Sequence, residues 1–191
     1  MSPLLTRPRP TLSALLPPTS APHTPRALGG VVAAVAARPD LWRHRVRFDA
    51  TDRWSMRLHA DDDLDVWLIS WTPDQSTALH DHGGSAGALT VVDGRLTELT
   101  AAPSDLHRLV RHELVPGGVR TFGPRHVHDV VNAGAAPSVS VHAYSPPLRA
   151  MTYYATGAYG LRKIRTLLTD APEPAAPIIT ADVSADARSH A

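Results

Sequence analysis

The sequence predicts an all-β domain, a sandwich or barrel with a short helical segment ahead of it. Two observations carry that expectation. From about residue 54 the chain breaks into short runs rich in β-branched and aromatic residues, separated by Gly, Pro, Asn and Asp. These runs also follow one another at regular spacing along the chain. Short strands at such spacing belong to sandwiches and barrels.

The elements follow in chain order. "PRALGGVVAAVAARPDLW" (25–42) reads as a helix that Pro39 ends, its first turn weakened by Gly29-Gly30. "LDVWLISWT" (64–72) is a strand bounded by "DDD" and "PDQS". "ALTVVDGRLTELT" (88–100) is expected to be a hairpin, since Asp93-Gly94 suits a type I′ turn. "HRLVRHELV" (107–115), "GVRTFG" (118–123), "HVHDVVN" (126–132), "SVSVHAYS" (138–145) and "AMTYYAT" (150–156) continue the series. The acidic cluster Asp61, Asp62, Asp63 and Asp65 reads as a solvated turn, because it lacks the Gly and distal Glu of a calcium loop.

Composition narrows the function. A chain of 191 residues fits one domain with a sizeable core. Without cysteine it has no disulfide, zinc-thiolate site or thiol nucleophile, which suits a reducing cytoplasm. Of nineteen basic residues only Lys163 is not Arg, but they are scattered, matched by eighteen acids, and form no nucleic-acid patch. No apolar run approaches the roughly 20 residues of a membrane span, and the weakly apolar 27–37 stretch is a poor secretory signal. Ten of the eighteen prolines lie in 1–25 and 171–191, so both ends read as flexible tails around a domain of residues 26–170.

Chemistry concentrates in three places. On a strand, residues i and i+2 share a face; His80 and His82 therefore project together, with Asp81 opposite. His126 and His128 form a second alternate pair, and either one brought to the first pair would complete a three-nitrogen site. "SVSVHAYS" splits into an apolar face, Val139, Val141 and Ala143, and a polar face, Ser140, His142 and Tyr144. That polar row is either a hydrogen-bonded series inside a barrel or the exposed face of an edge strand.

Residues 80–94 and 118–132 resemble the two motifs of the cupins, the double-stranded β-helix or jelly-roll barrels. The first is H-x-H, then Gly87 where many cupins carry a ligand Glu, then Gly94. The second is Gly118, Pro124, His128 and Asn132, one residue short between Pro124 and His128 and with His126 near the expected Gly. Within the cupins, "HDH", "HDVVN" and "SVSVHAYSPP" are similar to the motifs of the cysteine dioxygenases, bacterial type, over residues 40–165.

The resemblance implies Fe(II) held by His80, His82 and His128, with His126 in reserve, and no ligand carboxylate. It implies Tyr144 near the reacting oxygen, His142 and Ser140 behind it, and Arg57 on the substrate carboxylate with Arg53 as rival. Without cysteine, Tyr144 cannot form the cysteine–tyrosine cross-link of some animal enzymes. The implied reaction adds both atoms of O₂ to the sulfur of L-cysteine, giving cysteine sulfinate in the cytoplasm. The alternatives are 3-mercaptopropionate or another small thiol, a non-catalytic small-molecule or metal-binding cupin, and a zinc or nickel site. The expected partners are a small thiol and O₂, with no nucleic acid and no membrane; oligomeric state is left open.

Overall fold

Alternation along the central strands places one set of side chains between two sheets and the other beneath a helix. The computed structural model describes residues 12, 16, 21–102, 105–157 and 160–172. Two helices, α1 (Pro25–Ala36) and α2 (Pro39–Trp42), lead into the strands β1 (Ser55–Ala60), β2 (Asp65–Trp71), β3 (His80–Asp81), β4 (Ala86–Asp93), β5 (Leu96–Ala102) and β6 (Asp105–Leu114). β7 (Arg120–Phe122), β8 (His128–Val131), β9 (Ser138–Ser145), β10 (Ala150–Gly157) and β11 (Gly160–Leu168) follow. One sheet runs β1-β2-β9-β4-β7 and the other β11-β10-β3-β8-β5-β6, with every pairing antiparallel. This is the all-β cupin barrel.

β2 and β9 are buried along their whole length because both of their faces are covered. Val66, Leu68, Val139, Val141 and Ala143 face Leu28, Val31, Val32 and Val35 of α1. Trp67, Ile69, Trp71 and Tyr144 face the barrel interior with Leu89, Phe122 and Val130. Each fully buried aliphatic side chain of α1 contributes about 1.5–3 kcal/mol, which fixes the helix on the first sheet.

α1 begins where the Thr24 hydroxyl accepts from the Ala27 amide, with Pro25 in the first turn. It stops short of Pro39. A residue before proline is driven out of the helical region, and Arg38 lies outside it at φ −123°, ψ 67°. Pro39 thus ends the first helix, as expected, and also starts a second helical turn, α2.

The expected 88–100 hairpin does not form. β4 and β5 pair with different neighbours in different sheets. Of the turn pair only Gly94 has a positive φ, at +74°, so the type I′ turn is absent as well. Gly94 instead lets the chain pass close to β9, where a Cβ would stand 2.4 Å from the Ser138 Oγ. The chain crosses from one sheet to the other at this point.

The acidic cluster also divides. Asp61 caps a turn through the Asp63 and Leu64 amides, whereas Asp65 is buried inside the barrel. Of the expected tails, most lies outside the described residues. The described ends pack on the barrel, with the His23 amide on the Ser145 hydroxyl and Ala171 against the interior core. Among the described residues no helix is long and apolar enough to cross a membrane.

Candidate metal centre

The second sheet brings three imidazoles together. His80 on β3 pairs in register with His128 on β8, and His82 follows just beyond β3. All three are buried, and their ring centroids lie 4.8, 4.9 and 5.1 Å apart. Asp81 points away, accepting from the Tyr154 hydroxyl at 2.6 Å and from the Gly83 amide at 2.9 Å. That anchorage holds a two-residue strand in place.

The hydrogen bonds set the tautomers. The His80 Nδ1–H donates to the Ala78 carbonyl at 3.0 Å, and the His128 Nδ1–H to Glu98 Oε1 at 2.8 Å. Each leaves Nε2 with a free lone pair. Ala78 presents its carbonyl from a left-handed conformation, φ +59°, which costs a non-glycine residue about 1–2 kcal/mol. Both nitrogens of His82 are buried with no hydrogen-bond partner. An imidazole so placed is costly unless something is ligated there.

These three residues offer one ligand atom each within 4.8 Å of one another, close enough to hold a metal ion together. Burial, with the neighbouring imidazoles, pushes the His80 and His82 pKa values well down. Burial lowers that of His128 too, against the opposing pull of Glu98. All three are neutral, the form that binds a metal. A fourth ligand at Gly87 has no room, since a Cβ there would stand 2.3 Å from the Phe122 ring.

His126, the reserve ligand, sits before β8 and is turned elsewhere. Its Nε2 meets Glu98 Oε1 at 2.9 Å and its ring stacks on Phe122 at 5.0 Å. Glu98, His126 and His128 are close enough to form a second candidate group. Their separations are those of hydrogen bonds, which account for them. Burial opposes the charge on Glu98, but bonds from His126 and His128 and the Arg120 cation outweigh it and hold its carboxyl below the ordinary range.

The opposite wall comes from β9, a central strand and not an exposed edge. The Trp71 indole donates to Ser140 Oγ at 2.9 Å; Ser140 Oγ and His142 Nε2 are 2.8 Å apart; His142 Nδ1 lies 3.2 Å from the Tyr144 hydroxyl. An indole N–H only donates. The consistent assignment is that Ser140 donates onward to His142 Nε2, and His142 Nδ1–H donates to the Tyr144 oxygen. The Tyr144 O–H is then left to donate toward the histidines, where its ring lies 5.0 Å from that of His82. Burial keeps this row neutral, lowering His142 to about 3 and raising Tyr144 above the ordinary phenol range.

Arg57, expected at the substrate carboxylate, and its rival Arg53 lie in different surroundings. Arg57 is on the edge strand β1, where it donates to the Asp170 carbonyl and carboxylate and lies 4.4 Å from the Trp67 ring centre. Its charge acts on the exposed Asp170 and on the buried Asp65. Arg53 reaches inward, 5.1 Å from the Trp71 ring centre, and its charge acts on His80, His142 and Tyr144. Burial brings its own pKa down to about 10. The cation whose charge reaches the histidines is therefore Arg53.

Sequence reasoning missed Glu98, Phe122 and the interior position of Asp65. The one available signal for Asp65 was its place two residues before Trp67 on an alternating strand.

The cysteine dioxygenase type I family matches this chain over residues 28–156, about two thirds of it. The chain belongs to this family. Among solved structures it is similar to an uncharacterised double-stranded β-helix protein of Klebsiella pneumoniae, at 20% identity over 64% of this chain and 93% of that one, TM-score 0.48. It is also similar to the TT1209 protein of Thermus thermophilus, at 17% identity over 55% and 92%, TM-score 0.47. A cupin superfamily protein of Desulfitobacterium hafniense is similar at 15% over 55% and 87%, TM-score 0.45. As a cysteine dioxygenase type I family member the chain is an oxygenase, and its three buried histidines can bind a metal.

Proposed function

We propose that this protein is an Fe(II)-dependent thiol dioxygenase acting on L-cysteine. The observation that carries the reading is His82, a buried imidazole whose two nitrogens lack hydrogen-bond partners, between two histidines whose Nε2 atoms are also left open. Fe(II) held by His80, His82 and His128 supplies the site where thiolate and dioxygen meet. Neutral ligands leave that site positive enough to favour an anionic thiolate.

This chain's residues do the rest. Arg53 pairs with the substrate carboxylate, a charge-assisted contact strengthened where water is excluded. The Tyr144 O–H, oriented by His142 and Ser140, donates to the developing negative charge on oxygen. Trp67, Trp71 and Phe122 keep bulk water from the reacting sulfur. Both oxygen atoms pass to the thiolate, so thiolate plus O₂ gives sulfinate with no other reductant. A cysteine-free chain suits the reducing cytoplasm, where the substrate stays a free thiol.

The test is metal analysis of protein purified without oxygen, then oxygen uptake with L-cysteine, 3-mercaptopropionate and cysteamine. Iron near one per chain, and uptake mole for mole with L-cysteine, are expected. Preference for 3-mercaptopropionate would move the substrate while keeping the chemistry. Iron-loaded protein that consumes no oxygen with any thiol would overturn the assignment.

A further inference from the structure

Three donors converge on one carboxylate behind the candidate metal centre. Glu98 is fully buried on β5. Its Oε2 accepts from Arg120 Nε at 2.5 Å, and its Oε1 from His126 Nε2 at 2.9 Å and His128 Nδ1 at 2.8 Å. Burying a carboxylate is costly, and this one has every oxygen engaged. Of the three ligand histidines, His80 is oriented by a neutral carbonyl, and His128 alone by a charged group.

We propose that Glu98 is a positioning residue that supplies, one bond removed, the negative charge the three-histidine set lacks. Through His128 it holds Nε2 toward the metal and raises the basicity of that ligand. Arg120, on the other oxygen and partly exposed, draws on the same charge and so limits how much of it His128 receives. The two residues therefore act on the metal with opposite signs. This rests on the three-histidine reading above.

The experiment compares the parent with Glu98→Gln and Arg120→Gln. Two quantities are read: Fe(II) affinity by competition with a chelator, and the Fe(III)/Fe(II) midpoint potential. Glu98→Gln keeps the shape and removes the charge; it should weaken Fe(II) binding about 10- to 100-fold and raise the potential. Arg120→Gln should lower the potential. Loosened packing alone would not move the two potentials in opposite directions. If Glu98→Gln does not fold, Arg120→Gln decides, and a potential equal to or above that of the parent overturns the proposal. A parent that binds Fe(II) with both variants matching it overturns this inference alone. A parent that takes up no Fe(II) overturns the proposed function with it.

Discussion

The Phe122 ring occupies the space that a side chain at Gly87 would need. A Cβ on Gly87 would stand 2.3 Å from Cε2 and Cζ of that ring and 3.2 Å from the Tyr144 Cδ1. Gly87→Ala should therefore destabilise by about 1–3 kcal/mol through overpacking. Combined with Phe122→Leu, most of that penalty should vanish, because the two sites are coupled through one contact. Chemical denaturation of the four proteins in this cycle measures it; equal cost in both backgrounds would remove Phe122 as the reason for glycine.

Metal content should separate the second histidine pair. His128→Ala should lose most of the bound iron, since it removes one of three nitrogens facing a common point. His126→Ala should retain it, because that ring contacts Glu98 and Phe122 instead. Metal analysis of both variants decides, and the reverse pattern would exchange their roles.

The arginines should separate by substrate. Truncating one partner of a desolvated charge pair typically costs about 2–5 kcal/mol. Arg53→Ala should thus raise the apparent KM for L-cysteine about 30-fold or more, with little effect on cysteamine, which has no carboxylate. Arg57→Ala should leave KM near its parent value and cost at most about 1 kcal/mol of stability, as its pair with Asp170 is exposed. Steady-state kinetics on both thiols is the measurement, and a KM rise for Arg57→Ala alone would return the clamp to Arg57.

Asp65 should make stability depend on pH. Burial lifts its carboxyl from 3.8 to about 6, outweighing the indole bond from Trp67, the Arg57 cation and nearby backbone amides, and its Oδ1 lacks a hydrogen-bond partner. The folded state therefore holds this proton at pH values where the unfolded chain has released it. That contribution to stability is fully present below about 3.8 and is lost as pH rises through about 6. Asp65→Asn should accordingly be more stable than the parent above pH 6, by roughly 1–3 kcal/mol. The difference should shrink toward pH 4, and denaturation midpoints across that range check it. A constant difference would mean that Asp65 is charged throughout.

Local alternation by itself determined which residues share a face. "SVSVHAYS" divides into Val139, Val141 and Ala143 beneath α1 and Ser140, His142 and Tyr144 inside the barrel, as its period of two requires. The same period aligned His80 with His82 and left Asp81 to the other side. What only the tertiary structure decided are the long-range partners. Asp93-Gly94 carries a hairpin signal, yet β4 and β5 separate because each pairs better with distant strands. Arg53 and Arg57 are four residues apart and chemically alike; which one faces the histidines depends on where the chain joins the sheet edge. Glu98 is one acid in a threonine- and leucine-rich strand, and its role arises only when β8 and the segment around β7 bring His128, His126 and Arg120 to it. A strand's sequence encodes which face each side chain takes, whereas the groups it meets across the barrel are set by pairings made far along the chain.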